Sequence, residues 1–70
     1  MMPLTVADQA QTYCIQRLGG KPEVRKHLEN LGFVVGSEVC VISAIGGNLI
    51  VKVKDTRVVI SQEMAGKILV

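Results

Sequence analysis

The segment Pro22–Gly36 limits the fold of this chain more than any other segment, because the clearest helix pattern of the sequence lies there. Val24, Leu28 and Leu31 recur at the spacing i, i+4 and i+7, which predicts a helix with one apolar stripe facing a core. Gly32 follows that stripe and suits the left-handed residue that often ends a helix, because glycine has no Cβ to clash. The helix is therefore predicted to run from Pro22 to Leu31.

The link after the helix is more apolar than a connection requires. Phe33, Val34 and Val35 follow one another before the chain turns at Gly36. An aromatic side chain beside aliphatic ones is common at the centre of protein interfaces. We expect these three residues to bind a partner together with Arg25 and Lys26 on the solvent side of the helix. The pattern equally allows the link to fold back over the open end of the core.

The rest of the chain predicts short strands separated by tight turns. Leu49, Val51 and Val53 recur at every second position, with Lys52 and Lys54 on the other side, which is typical of a strand with one buried face. The predicted strands are Thr12–Leu18, Ser37–Ile45, Asn48–Lys54, Arg57–Ile60 and Ile68–Val70, with turns at Gly46-Gly47 and Asp55-Thr56 and a helical turn from Gln62. This order predicts one mainly β domain over residues 1–70, a small, partly open β-barrel with one short α-helix and a helical turn before the last strand.

Composition favours a protein partner over other kinds of ligand. Hydrophobic residues make up 49% of only 70 residues, and so small a domain cannot bury all of them. A net charge of +2 is too small and too mixed to predict a polyanion partner. The chain has no apolar run of membrane-spanning length and no signal-peptide pattern at its N-terminus, so we expect a cytosolic protein.

The residues give little support for catalysis. The chain lacks a nucleophile motif and a glycine-rich loop that leads into a phosphate-binding helix, and Gly46-Gly47 belongs to a hairpin turn between strands. Its carboxylates are scattered without a pair at a notable spacing. We predict no catalytic residue and no enzyme activity.

A metal site has two candidate ligands on the helix. Glu23 and His27 lie four residues apart, so both could reach one divalent transition metal ion. Two ligands are fewer than the roughly four that a closed site needs, and we interpret this face as solvated. Cys14 and Cys40 are interpreted as two buried small hydrophobes rather than as ligands or a disulfide.

Nucleic-acid binding is an alternative function to consider for a small β-barrel. Lys52, Lys54 and Arg57 cluster around one predicted hairpin. Binding of single strands normally also uses exposed aromatic residues, which these strands lack. We therefore expect these charges to protect a strand from aggregation and do not predict a nucleic-acid partner.

The order of these segments resembles the FeoA family of small proteins of bacterial ferrous iron uptake. The run of a basic residue, His-Leu, Leu-Gly, an apolar link and Gly is matched around the helix, and further matches lie in the first, second and last strands. The matching positions are Leu4, Thr5, Ile15, Leu18, Gly19, Gly20, Arg25, His27, Leu28, Leu31, Gly32, Gly36, Val39, Val41, Ala65, Ile68 and Val70. Ala10 and Val35 depart from the pattern, where the family often has glycine and proline.

The resemblance implies an SH3-like barrel and an accessory role in ferrous iron transport. Its implied partner is the cytosolic part of a FeoB-type membrane transporter, which would hold the protein at the inner face of the membrane. The same barrel occurs in iron-dependent repressors, so an iron-sensing module is a further alternative. Exposed sheet edges also allow self-association into a homo-oligomer.

Overall fold

Six short strands and two helices make up the computed structural model, which describes all residues from 1 to 70. A 3₁₀ turn at Leu4–Val6 precedes them. In chain order the elements are β1 (Thr12–Cys14), β2 (Arg17–Leu18), α1 (Pro22–Asn30), β3 (Glu38–Ile45), β4 (Asn48–Val53), β5 (Thr56–Ser61), α2 (Gln62–Ala65) and β6 (Ile68–Leu69). The mainly β class is confirmed, as are the glycine hairpin between β3 and β4 and the helix that Ser61 begins, where the Ser61 hydroxyl accepts the Met64 N–H at 3.2 Å.

The strands form two antiparallel sheets that share one bent segment. The larger sheet has the order β1-β3-β4-β5, and the smaller one pairs β2 with β6. The predicted single strand Thr12–Leu18 is wrong, because the chain changes sheets within it. The Ile15 N–H donates to the Ser37 carbonyl at 2.8 Å, and the next N–H, that of Gln16, donates to the Leu69 carbonyl at 2.7 Å. Strands that pass from one sheet to another in this way make the corners of small barrels.

A β-bulge in β3 changes the face on which the last residues of the strand lie. Simple alternation along Ser37–Ile45 predicts that Ile45 shares the face of Val39 and Val41. The register shifts between Val41 and Ser43, so that Ile45 lies opposite Asn48 and is 63% exposed. One extra residue in a strand moves every later side chain to the opposite face.

The core is aliphatic apart from one phenylalanine. It holds Leu4, Ile15, Leu18, Leu28, Phe33, Val39, Val41, Leu49, Val51, Val53, Ile60, Ala65 and Ile68. The predicted inward positions Leu49, Val51 and Val53 are confirmed. No helix of the protein has the length and apolar character that crossing a membrane requires.

Candidate partner-binding surface

The end of α1 places the aromatic residue of the link inside the core. The Phe33 N–H donates to the Leu28 carbonyl at 2.9 Å, and the Gly32 N–H donates to the Glu29 carbonyl at 3.0 Å. Gly32 has a φ of +108°. This is the Schellman arrangement, in which the residue after the left-handed glycine packs against the last turn of the helix. Phe33 is 0% exposed, so the expectation that its side chain lies on the docking surface is corrected.

The link then returns to the surface in a tight turn. The Ser37 N–H donates to the Val34 carbonyl at 3.0 Å, and Gly36 has a φ of +92°, as the third residue of a type II turn requires. The Gly36 N–H donates to the Ile15 carbonyl at 2.8 Å, which fixes the turn to the bent strand segment. Val35, at the tip, is 63% exposed. The apolar surface of the link is therefore Val35 with part of Val34.

An open groove of about 540 Å³ begins beside this turn. Gly36 and Ser37 form one wall, and Lys52 and Lys54 of the β4–β5 hairpin contribute to another. The remaining lining residues are Thr12, Glu38, Val39, Cys40 and Asp55. Lys52 lies 3.9 Å from Asp55, whereas Lys54 forms no ion pair. The groove therefore offers a solvated, mixed-charge surface next to an exposed valine.

The helix presents its charged residues to solvent, as its pattern predicts. Leu28 is buried and Val24 is half-buried, while Arg25 and Lys26 are exposed. Both basic side chains are thus available on the helix that leads into the link. We call the surface formed by Arg25, Lys26, Val34, Val35 and the groove the α1–link surface.

The predicted metal ligands lie on the same helix without a third ligand. Glu23 and His27 are both exposed and form no ion pair with each other. Nowhere in the chain do three or more His, Cys, Asp or Glu side chains form a group able to hold a metal ion. The interpretation of this face as solvated agrees with that placement.

The two cysteines do not share one environment. Cys40 is partly buried, but Cys14 is exposed, so its assignment to the core is wrong. Cys14 lies opposite Glu38 in the register, on the outer face of the sheet rather than the face of Tyr13 and Val39. Both thiols are free.

The basic hairpin has no aromatic platform beside it. Lys52 and Arg57 face each other across β4 and β5, and both are exposed. Phe33 is buried, and the Tyr13 hydroxyl accepts the Asp8 N–H at 3.0 Å. Both aromatic residues of the chain are thus engaged within the fold, so stacking of bases has no obvious partner here.

Sequence patterns did not reveal the groove. Its walls come from three separate segments, which the register of β1 with β3 and the turn at Gly36 bring together. The only local signal was Gly36 itself, which indicated a turn but not what lies beside it.

Comparison with known proteins places the chain in a family and a fold. The model of the FeoA domain family matches residues 2–70. No curated protein gives a significant match. A crystal structure of an iron uptake regulatory protein, FeoA, is 20% identical with a TM-score of 0.88, and the match covers 96% of this chain and 91% of that one.

Two further structures widen the comparison. Stenotrophomonas maltophilia FeoA complexed with zinc, described as a prokaryotic SH3 domain protein, is 23% identical with a TM-score of 0.84, covering 99% of this chain and 88% of that one. A manganese-dependent transcriptional repressor is 17% identical with a TM-score of 0.85, covering 94% of this chain and 38% of the repressor. At these identities the structures show a common SH3-like fold.

Proposed function

The chain belongs to the FeoA family, which is associated with ferrous iron transport, and we propose that it acts by binding the cytosolic part of a FeoB-type transporter. The observation that carries this proposal is the family match over residues 2–70. The protein would then work as an accessory or regulator in the cytosol, at the inner face of the membrane, through protein contact rather than catalysis.

The α1–link surface is the contact that we propose for this role. Val35 supplies an exposed apolar side chain on a turn that two backbone hydrogen bonds hold in place, so little order has to be gained on binding. The groove beside it gives a partner side chain a place to enter. An apolar residue next to a recess that charged residues line is common at protein interfaces.

The basic residues of the α1–link surface suggest how the partner is oriented. Arg25, Lys26 and Lys54 are exposed and form no ion pair within the chain. They would favour a partner segment that carries acidic side chains around an apolar one, and charged residues at the rim of an interface act mainly on association rate and specificity.

Uptake of ferrous iron tests this function in cells. We would delete the gene in the parent bacterium, measure anaerobic uptake of labelled Fe²⁺, and restore the gene as wild type, Val35→Asp or Val6→Asp. Val6 is 62% exposed in the N-terminal 3₁₀ turn and serves as the matched control. We expect the wild type and Val6→Asp to restore uptake and Val35→Asp to fail. Unchanged uptake after the deletion would exclude the proposed function.

A further inference from the structure

Strand β5 forms a free edge of the four-stranded sheet. It pairs with β4 on one side only, and it is the longer of the two outer strands, since β1 has three residues and β5 has six. Natural proteins usually protect such edges with proline, lysine, a bulge or a covering segment. The sequence of β5 contains neither proline nor lysine, and its register with β4 is regular throughout. Its one charged residue, Arg57, lies near the start of the strand, so the protection by charge expected from the sequence is confined to that end.

The hairpin turn decides which backbone groups of β5 point away from the sheet. Lys54 and Asp55 have φ values of 50° and 61°, which is the type I′ turn of a two-residue hairpin. The residues that flank such a turn exchange hydrogen bonds, and bonded and non-bonded pairs then alternate along the strands. The N–H and C=O groups of Arg57 and Val59 and the N–H of Ser61 therefore point to the free edge, and none of them takes part in a backbone hydrogen bond of the turns and loops. The Ser61 carbonyl is not free, because Ser61 is the N-cap of α2 and its C=O accepts the first hydrogen bond of that helix.

We propose that a second copy of this chain pairs with β5 along this edge, antiparallel, with Val59 opposite Val59 of the second copy. A two-fold axis at Val59 places Arg57 opposite Ser61 of the second copy, and about four backbone hydrogen bonds form between the free groups. The pairing continues the sheet across the axis. This interface does not depend on the transporter contact.

Two side-chain features fit a second copy at this edge. Val59 is 63% exposed on the outer face beside its register partner Ile50, and pairing places the two Val59 side chains against each other. Arg57 and Glu63 are exposed and form no ion pair within the chain. Because Glu63 follows Ser61 by two residues, the pairing brings Arg57 of each copy close to Glu63 of the other. The dimer would therefore contain two Arg57–Glu63 pairs of opposite charge, related by the two-fold axis.

Sedimentation equilibrium over a range of concentrations tests the dimer. Val59→Pro removes an N–H that does not serve the bond to β4, so the fold should persist as judged by circular dichroism. We expect this change to raise the dimer dissociation constant about thirtyfold, since two symmetric hydrogen bonds are lost. The matched control Val59→Thr keeps both the N–H and the β-branched shape, and it should stay within about threefold of wild type.

A charge exchange and amide exchange identify the interface independently of the proline variant. Arg57→Glu and Glu63→Arg should each weaken the dimer, and the double variant should recover it. In NMR hydrogen-exchange measurements, the amides of Val59 and Ser61 should become protected as concentration rises. A protein that stays monomeric at every concentration tested would overturn the proposal. So would a dimer in which these two amides exchange at an unchanged rate.

Discussion

The backbone N–H of Phe33 donates to the carbonyl of Leu28 at 2.9 Å, and the side chains of both residues are fully buried. This contact joins the end of α1 to the core and turns the link back over the barrel. Two residues of the apolar link therefore have different roles. Phe33 stabilises the fold, and Val35 is left as the exposed residue beside the groove.

Truncation of Phe33 should act on stability. It is the largest of the fully buried side chains, so Phe33→Ala should cost about 3–5 kcal/mol of unfolding free energy. A domain of this size has a total stability of only about 4–10 kcal/mol, so the variant should be partly or wholly unfolded. Urea unfolding followed by circular dichroism measures this cost. Val35→Ala is the control and should change stability by no more than about 0.5 kcal/mol. Equal stability of the two variants would contradict the burial of Phe33.

Alanine substitutions at two glycines should have opposite effects. Gly32 has a φ of +108°, and a Cβ there would meet Val53 Cγ1 at an ordinary 3.6 Å, so Gly32→Ala should cost about 1–2 kcal/mol through the backbone alone. Gly66 follows α2 with a φ of −64° and has room for a Cβ at 3.4 Å from the Gln62 carbonyl oxygen. Gly66→Ala should therefore stabilise the protein by about 0.4–1 kcal/mol by reducing the freedom of the unfolded chain. Thermal unfolding of both variants tests the pair, and a stabilising Gly32→Ala would contradict the left-handed assignment.

Replacement of Ala10 by glycine should stabilise the protein. Ala10 has a φ of 64°, and its N–H donates to the Val41 carbonyl at 2.9 Å, which holds it in that conformation. Relief of the left-handed strain exceeds the entropic cost of glycine, so Ala10→Gly should add about 0.5–1 kcal/mol. Ala44→Gly, at an exposed strand position, is the control and should destabilise the protein by about that amount. A loss of stability in Ala10→Gly, measured by urea unfolding, would contradict the prediction.

Local patterns predicted the elements well and their connections less well. The limits of α1, the glycine hairpin and the inward face of β4 depend on a few neighbouring residues, and each was predicted from spacing. The bulge in β3 and the change of sheet at Ile15 depend on distant partners, Ile50 and Leu69. Such register effects leave no local signature, and the bulge placed Ile45 on the outside. Cys14 is exposed for another reason, because it alternates with Tyr13 in β1 and lies on the outer face.

In the candidate site, too, the features that depend on local sequence were predicted and those that depend on distant contacts were not. Val35, Arg25 and Lys26 are exposed where their positions after and on the helix predicted. Phe33 was assigned to the docking surface, although an aromatic residue in a link is compatible with a core as well as with an interface. The hydrogen bond from Phe33 to Leu28 is part of the Schellman arrangement that places the side chain in the core. The groove could not be predicted, since it exists only once β1, β3 and β4 are aligned.

The most direct test of the transporter contact is the affinity of this protein for the purified cytosolic part of the FeoB-type transporter from the same bacterium. Isothermal titration calorimetry would compare wild type with Val35→Asp and with the equally exposed control Val6→Asp. We predict saturable binding by wild type, a loss of about tenfold or more in Val35→Asp, and a change below about threefold in Val6→Asp. Absence of binding by wild type at low and moderate salt would contradict the account, and equal affinities of all three proteins would move the contact away from the α1–link surface.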